Sequence, residues 1–259
     1  MIGIFDSGVG GMTVAKAVEE VLPGYPIIYL GDIARTPYGT KSASTIVEYS
    51  IRNTQFLIDR GATLIVIACN TASSVATEAL KAKFSVPIIE VVTPAVEEAL
   101  VRSTTGRIGI IGTNATVRST IYERKIKERR PECSVYAQAC PLFVPLVEEG
   151  WLNRQETKMI VRRYLHSLKN KQVDTLVLGC THYPLLRHLI QPRIGRKVNL
   201  IDSSLAAAGY LKKFLTESRD LVQNQHDSVQ HQYFVTDLTD SVVKITQIIF
   251  NRDIELKLV

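Results

Sequence analysis

The chain has 259 residues and a formal net charge of +6, a length that suits one large domain or two medium ones. Its 46% hydrophobic and 22% charged residues exclude a disordered or fibrous chain. No apolar stretch approaches the ~20 residues that span a bilayer, which excludes a transmembrane helix.

The first predicted elements are a strand over 1–5 and an amphipathic helix over 12–21, joined by the loop DSGVGG. Gly8 and Gly10 match part of the GxGxxG dinucleotide fingerprint, but Thr13 stands where the third glycine belongs and no P-loop lysine follows. The loop therefore indicates a nucleotide or phosphate site only weakly. Asp6, at the strand end, either serves a site or caps the helix.

A second strand over 27–30 leads into a turn-rich loop that contains Pro37, Tyr38 and Gly39. Thr45 and Glu48 predict a capping box for the next helix. Gly61 is expected to end that helix. The predicted apolar face of the helix consists of Val47, Ile51, Thr54 and Ile58.

Two predicted buried strands end in cysteines, LIVIAC at Cys69 and TLVLGC at Cys180. After Cys69 we expect a helix over 72–84, a strand over 88–92, and a helix opened by Thr93 with Pro94 at its first position. The carboxyl ends of strands in open α/β sheets are where ligands bind. Both thiols are therefore expected to face one cavity.

The segment 106–122 repeats the strand, turn and helix order of the N-terminus, with Thr113 in the turn. Cys180 lies 111 residues after Cys69, and Gly109 lies 106 residues after Gly3, which indicates two halves of like construction. The segment PLFVPLVEEGW over 141–151 is predicted to be an apolar loop.

The remaining predicted elements complete an α/β fold of two Rossmann-like lobes with mainly parallel sheets and the active site in the cleft between them. The first lobe is predicted to comprise 1–95 with 207–259, and the second 96–206. Asp202 ends a predicted strand and either faces the cleft or caps the next helix. The remaining predicted elements, after the segment 141–151, are a helix over 155–169, strands over 198–201 and 231–237, a helix over 241–250, and a polar mobile loop over 217–230.

The four cysteines form no CxxC pair, which argues against a disulfide framework or a zinc ribbon. Because MIGIFDSG lacks the features of an export signal, we expect a cytoplasmic protein with free thiols. The basic run RKIKERR over 124–130 is typical of a solvated helix face, so nucleic-acid binding is not expected. The net positive charge suits an anionic substrate.

Two thiols on opposite sides of one carbon atom can invert an amino acid. One thiolate removes the α-proton and one thiol returns a proton to the other face. A free cysteine has a pKa of about 8.5, near enough to neutrality for neighbours to select either form. Taken singly, each of Cys69 and Cys180 is more often a small core residue than a catalyst. Cys133 and Cys140 lack the strand-end context and are predicted to be structural.

Five ordered motifs closely resemble bacterial glutamate racemases: DSGVGG at 6–11, PYG at 37–39, ACNTA at 68–72, FVPLVE at 143–148 and GCTHYPLL at 179–186. The resemblance covers nearly the whole chain. It implies an isomerase of two α/β lobes that interconverts L- and D-glutamate without a cofactor, and that supplies D-glutamate for peptidoglycan. It implies that glutamate is the small-molecule partner and that neither a metal nor a membrane is involved. Formation of a homodimer is left undecided by the resemblance.

Carried over by motif, the resemblance implies that Cys69 and Cys180 are the two proton donors and acceptors. Asp6 and His182 would assist the two thiols, and Glu148 would be a further catalytic group. The implied substrate-binding residues are Asp6, Ser7, Pro37, Tyr38, Gly39, Asn70, Thr71, Thr113, Thr181 and His182.

Alternatives remain for several of these residues. His182 is otherwise a core histidine or a metal ligand, Glu149 competes with Glu148 as the relevant carboxylate, and Tyr38 is otherwise a packing residue. An aspartate racemase of the same superfamily is the enzymatic alternative, and its second motif typically carries Glu where this chain has His182. A nucleotide- or phosphate-binding module without catalysis is the alternative from another class.

Overall fold

The computed structural model describes residues 1–217 and 230–259. Ten strands lie in these ranges, and all of their pairings are parallel. The strands are β1 Ile2–Asp6, β2 Ile27–Gly31, β3 Leu64–Ile67, β4 Ile88–Glu90, β5 Arg107–Gly112, β6 Ser134–Ala139, β7 Thr175–Gly179, β8 Asn199–Asp202, β9 Gln232–Val235 and β10 Leu256–Leu258.

Eleven α-helices alternate with the strands over the same residues. They are α1 Met12–Val21, α2 Ala43–Asp59, α3 Asn70–Lys83, α4 Val92–Arg102, α5 Asn114–Arg118, α6 Ile121–Arg129, α7 Phe143–Glu148, α8 Gln155–Asn170, α9 Arg187–Ile194, α10 Ser203–Glu217 and α11 Asp240–Phe250. Alternation of strands and helices with parallel pairing confirms the predicted α/β class.

The strands form two sheets of related order. The first sheet runs β10-β9-β2-β1-β3-β4 and the second runs β6-β5-β7-β8. The order β2-β1-β3-β4 in the first sheet therefore recurs as β6-β5-β7-β8 in the second. The shared order supports the two like-built halves expected from the sequence. The late strand of the sequence returns to the first sheet, where β9 pairs with β2.

Corresponding glycines lie in the central strands of the two sheets. A side chain at Gly3 in β1 would place its Cβ 2.7 Å from the Ala62 Cβ, and a side chain at Gly109 in β5 would place it 3.0 Å from Leu176. The absence of a Cβ lets neighbouring side chains approach each strand closely. One buried hydrophobic cluster reaches from Ile4 of the first sheet to Leu178 of the second, so the lobes share part of their core.

The structure corrects several local predictions. Helix α2 begins at Ala43, and Ser42 caps it by accepting a hydrogen bond from the Thr45 amide, so the predicted capping box of Thr45 and Glu48 is wrong. The buried residues of α2 are Ile46, Ser50, Asn53, Thr54 and Leu57, so Thr54 is the one member of the predicted face that is fully buried. A single exposed serine can cap a helix without a glutamate three residues later. The sequence pattern did not distinguish this simple cap at Ser42 from a capping box at Thr45 and Glu48.

Other corrections concern element type. The segment predicted as an apolar loop after Cys140 contains the short helix α7, in which Pro145 is tolerated because it lies in the first turn. Strands β6 and β10 were not predicted. Their burial is only partial, so their sequences lack a strong apolar run. The polar loop predicted over 217–230 falls on 218–229, which lie outside the described residues.

The two sheets support the predicted lobes, while the boundaries 1–95 with 207–259 and 96–206 remain our proposal. Helix α10 follows β8 of the second sheet and packs against both α1 and α4. The chain therefore passes back to the first lobe along a helix that touches both lobes. Within the ranges that the structure describes, no helix is long and apolar enough to cross a bilayer.

Candidate active site

A cavity lies between the lobes at the carboxyl ends of the strands, and the thiols of Cys69 and Cys180 both line it. Its free volume is about 20 Å³, room for roughly one or two water molecules. The cleft is therefore closed. The complete lining consists of Ser7, Thr36, Pro37, Tyr38, Gly39, Cys69, Asn70, Thr71, Thr113, Val144, Cys180, Thr181 and His182.

Cys69 caps the N-terminus of α3. Its Sγ accepts a hydrogen bond from the Ala72 amide at 3.4 Å and lies 3.4 Å from the Ser7 hydroxyl, to which the thiol donates. The residue is 5% exposed. Burial, and then the negative charge of Asp6, raise the pKa of the Cys69 thiol to about 12. The raised pKa favours the protonated form of the Cys69 thiol.

Cys180 follows β7 and has a different neighbour. The Sγ lies 3.9 Å from Nδ1 of His182, and Nε2 of His182 lies 3.2 Å from Oε1 of Glu148. Burial acts to lower the pKa of His182, but the hydrogen bonds to Cys180 and Glu148 outweigh it and raise the pKa to about 10. His182 therefore places a positive charge beside the Cys180 sulfur.

The register of α7 decides between the two glutamates. Glu148 faces His182, whereas Glu149 is exposed outside the cleft. Both ring nitrogens of the buried His182 thus have a polar partner, the Cys180 thiol at Nδ1 and the Glu148 carboxylate at Nε2. Over the described residues, no group of three or more His, Cys, Asp or Glu side chains is arranged to hold a metal ion.

Asp6 lies behind the cavity and does not line it. It is fully buried, accepts a hydrogen bond from the Gly8 amide at 3.0 Å, and accepts another from the Thr181 hydroxyl at 3.3 Å. Burial raises the pKa of Asp6 to about 6, although the positive charge of His182 opposes this shift. The carboxyl side chain does not cap α1, whose N-cap residue Gly11 has no side-chain partner.

Side chains of the site pack directly against the glycine-rich loop. A Cβ at Gly10 would lie 2.4 Å from Nδ1 of His182, and a Cβ at Gly11 would lie 2.2 Å from the Cβ of Asp6. These glycines allow the backbone to pack directly on the two acid–base groups. The loop therefore has a packing reason for its composition that is independent of phosphate binding.

The loop after β2 brings Pro37, Tyr38 and Gly39 to the cavity, with a cis peptide bond before Pro37. The Tyr38 hydroxyl donates to the buried carboxylate of Asp32 and is therefore not free for a ligand. Tyr38 lines the cavity, and the bond from its hydroxyl to Asp32 agrees with the packing alternative for this residue.

The lobes meet through hydroxyl and amide groups at the N-terminus of α3. The Thr71 hydroxyl lies 2.8 Å from that of Thr113 in the second lobe, and both lie within 3.3 Å of the Thr116 hydroxyl. Asn70 contacts the second lobe with both polar atoms of its side chain. The predicted binding residues on α3 thus also join the lobes.

Sequence reasoning missed two lining residues, Thr36 and Val144. Val144 lies inside the motif FVPLVE, and Thr36 directly precedes the motif PYG, so their positions were available signals. Asp202 does not line the cavity. Its carboxylate accepts a hydrogen bond from the Ser204 amide at 2.9 Å, which confirms the capping alternative. Cys133 and Cys140 are buried away from the cavity lining.

Two α/β lobes that enclose one thiol each in a single closed cavity define a class of protein suited to proton exchange at carbon. The Asp/Glu/Hydantoin racemase family profile matches residues 12–211. The chain belongs to this family.

Relatives that are 40–48% identical to this chain are glutamate racemases. That of Aquifex aeolicus is 48% identical over 257 residues, covering 99% of this chain and 96% of the relative. The crystal structure of a glutamate racemase isoform from Bacillus anthracis superposes with a TM-score of 0.93 at 34% identity, covering 100% of this chain and 97% of that one. The Francisella tularensis glutamate racemase in complex with D-glutamate has a TM-score of 0.92 at 36% identity, covering 100% and 96%.

Proposed function

We propose that this protein interconverts L- and D-glutamate by a cofactor-independent reaction in which Cys69 and Cys180 exchange protons with the α-carbon. The observation that carries the proposal is the single cavity lined by one thiol from each lobe. The glutamate racemase relatives support the substrate. The product D-glutamate would serve peptidoglycan synthesis in the cytoplasm.

The two thiols have different neighbours and different proposed roles. Cys180, beside the imidazolium of His182, is the proposed base that accepts the α-proton from one face of the substrate. Cys69, whose pKa is raised to about 12, is the thiol that donates a proton to the opposite face. The C–H bond breaks on one side and a new C–H bond forms on the other, so the centre inverts. For the opposite enantiomer the two cysteines exchange roles.

The groups behind the thiols support each half of this cycle. Glu148 holds His182 charged, so the proton of His182 remains available to balance a thiolate at Cys180. Asp6, with a pKa near 6, lies close enough to Cys69 for its charge to affect that thiol. We propose that Asp6 accepts the proton that Cys69 must lose before it can act as a base.

We propose that the substrate carboxylates bind to amides and hydroxyls at the cavity. The first turn of α3 presents backbone N–H groups beside Cys69, a natural receptor for a carboxylate. The hydroxyls of Thr71 and Thr113 face the same space from both lobes. The further proposed binding residues, all of which line the cavity, are Ser7, Pro37, Tyr38, Gly39, Asn70, Thr181 and His182. Asp6 lies behind the lining, so we propose that it acts through Cys69 and not by direct contact with the substrate.

The small free volume has a mechanistic consequence. The cavity of about 20 Å³ is small for an amino acid, and we propose that the lobes separate for the substrate to enter. Closure around it excludes water, which would otherwise protonate the carbanion from either face. Closure also places the α-carbon between the two sulfur atoms.

The test is incubation of the purified protein with L-glutamate in deuterium oxide, without added cofactor. We expect loss of optical rotation together with incorporation of deuterium at the α-carbon. L-Aspartate in a parallel reaction measures the choice of substrate, and we expect much slower exchange. A glutamate sample that keeps both its rotation and its α-proton would reject the proposal.

A further inference from the structure

The side chain of Asn70 forms a bridge between the lobes, one residue after Cys69. It is 2% exposed. Its Oδ1 accepts a hydrogen bond from the Tyr122 hydroxyl at 2.5 Å, and its Nδ2 donates to the Ser203 hydroxyl at 3.2 Å. Tyr122 belongs to α6 and Ser203 begins α10. Both polar atoms of one first-lobe side chain are therefore held by the second lobe.

The bridge continues to the second cysteine. The Ser203 hydroxyl donates to the carbonyl oxygen of Leu178 at 3.1 Å, and Leu178 lies in β7 two residues before Cys180. Two consecutive hydrogen bonds thus connect the residue after Cys69 with the strand that presents Cys180. This path links the backbones next to the two thiols through buried side chains of both lobes.

The position of Tyr122 is fixed by a glycine. A Cβ at Gly179, the residue before Cys180, would lie 3.3 Å from Cε2 of Tyr122 and 2.7 Å from the carbonyl oxygen of Ile111. The absence of a side chain at Gly179 lets the tyrosine ring pack against the end of β7. Tyr122 is 3% exposed, and burial keeps its hydroxyl a neutral donor by raising its pKa well above the ordinary value.

We propose that Tyr122 and Ser203 are positioning residues of the reaction, which hold Asn70 so that the two thiols lie on opposite faces of one α-carbon. Neither side chain belongs to the described lining of the cavity, so each acts through Asn70. The inference rests on the proposed racemase function. Its physical reason is that a displacement of about 1 Å between reacting groups can reduce a rate about a hundredfold.

The decisive variant is Tyr122→Phe, which removes the hydroxyl and keeps the ring. We expect kcat to fall about tenfold or more in both directions, because both directions use the same pair of thiols. The α-deuterium isotope effect on kcat should rise, since proton transfer becomes slower relative to binding and release. Ser203→Ala should give the same pattern. The double variant should lose less than the product of the two effects, since both act on Asn70.

The matched control is Tyr233→Phe. The Tyr233 hydroxyl is also hydrogen-bonded at a largely buried position, but its partner Glu19 belongs to the same lobe. A lower Tm is expected for this control, with kcat and the isotope effect unchanged. A general loss of stability in Tyr122→Phe would affect Tm in the same way without changing the isotope effect of the folded enzyme.

Hydrogen exchange provides a readout that is independent of activity. The amides in the first turn of α3 should exchange faster in Tyr122→Phe and Ser203→Ala than in the wild type, and not in Tyr233→Phe. A wild-type protein without α-proton exchange would reject the proposed function. An active wild type, with a Tyr122→Phe variant that equals the control in kcat, isotope effect and amide exchange, would overturn the positioning role. If Tyr122→Phe does not fold, Ser203→Ala decides by the same criteria.

Discussion

Replacement of Cys180 by serine tests the two-thiol reaction most directly. Serine has nearly the same shape, so the hydrogen bonds around the residue need little rearrangement. A serine hydroxyl is a much weaker acid than a thiol, and its anion is not accessible beside His182. Cys180 is only 6% exposed, which leaves no bulk water to act as a substitute base.

The expected loss follows from the size of the missing step. General acid–base catalysis by a positioned group contributes about 10²- to 10⁴-fold, or about 3–5 kcal/mol of activation free energy. We expect kcat for racemisation to fall by this factor in both directions, because inversion needs both thiols. Cys69 remains in the variant and can still exchange the α-proton of one enantiomer without inversion.

Two measurements separate these events. Circular dichroism follows racemisation, and mass spectrometry or NMR in deuterium oxide follows α-proton exchange from each enantiomer. Cys133→Ala is the control, because the Cys133 thiol is buried outside the cavity lining and should leave both rates near those of the wild type. Racemisation by Cys180→Ser within a few-fold of the wild type would refute the assignment of this thiol.

Three further predictions concern the groups around the thiols. Gly39→Ala would place a Cβ 2.7 Å from the side chain of Thr113 in the other lobe. Closure of the lobes should then cost about 1–3 kcal/mol, and KM should rise about tenfold. The control Gly209→Ala meets no atom within 4 Å and should leave KM unchanged. Glu148→Gln removes a charged hydrogen bond worth about 1.5–3 kcal/mol, so kcat should fall about ten- to hundredfold, while an equal loss in Glu149→Gln would contradict the role of Glu148. Because the pKa of His182 is raised from 6.5 to about 10, its stabilisation is complete below pH 6.5 and is lost as the pH rises to 10. Urea denaturation should show the stability difference between the wild type and His182→Asn shrinking over this range, and a constant difference would disprove the raised pKa.

Most site positions that the motifs implied do lie together in the structure. Ser7, Pro37, Gly39 and Thr181 all line the cavity with the two thiols. Their functional assignment remains a prediction until the variants are measured. Asp6 is placed differently from a lining residue, because the loop that follows it folds over its carboxylate. A strand-end position indicates proximity to a site, but the path of the next loop decides direct access.

The choice between Glu148 and Glu149 shows a second limit of local patterns. Both are glutamates at the end of the same short helix, and the sequence favoured the first only through the motif register. The structure separates them because adjacent helical residues point about 100° apart, so only one can reach His182. Partly buried β6 was missed for a related reason, since its apolar pattern depends on which neighbours cover it.

The sequence by itself determined the alternating α/β construction, the two like-built halves, and the cysteine at the end of one buried strand in each half. These features are local, since apolar runs and glycines act over a few neighbouring residues. Only the tertiary structure decided that both thiols line one cavity, that His182 lies between Cys180 and Glu148, and that Asn70 joins the lobes. Those features depend on contacts between residues more than thirty positions apart, which only the folded chain brings together.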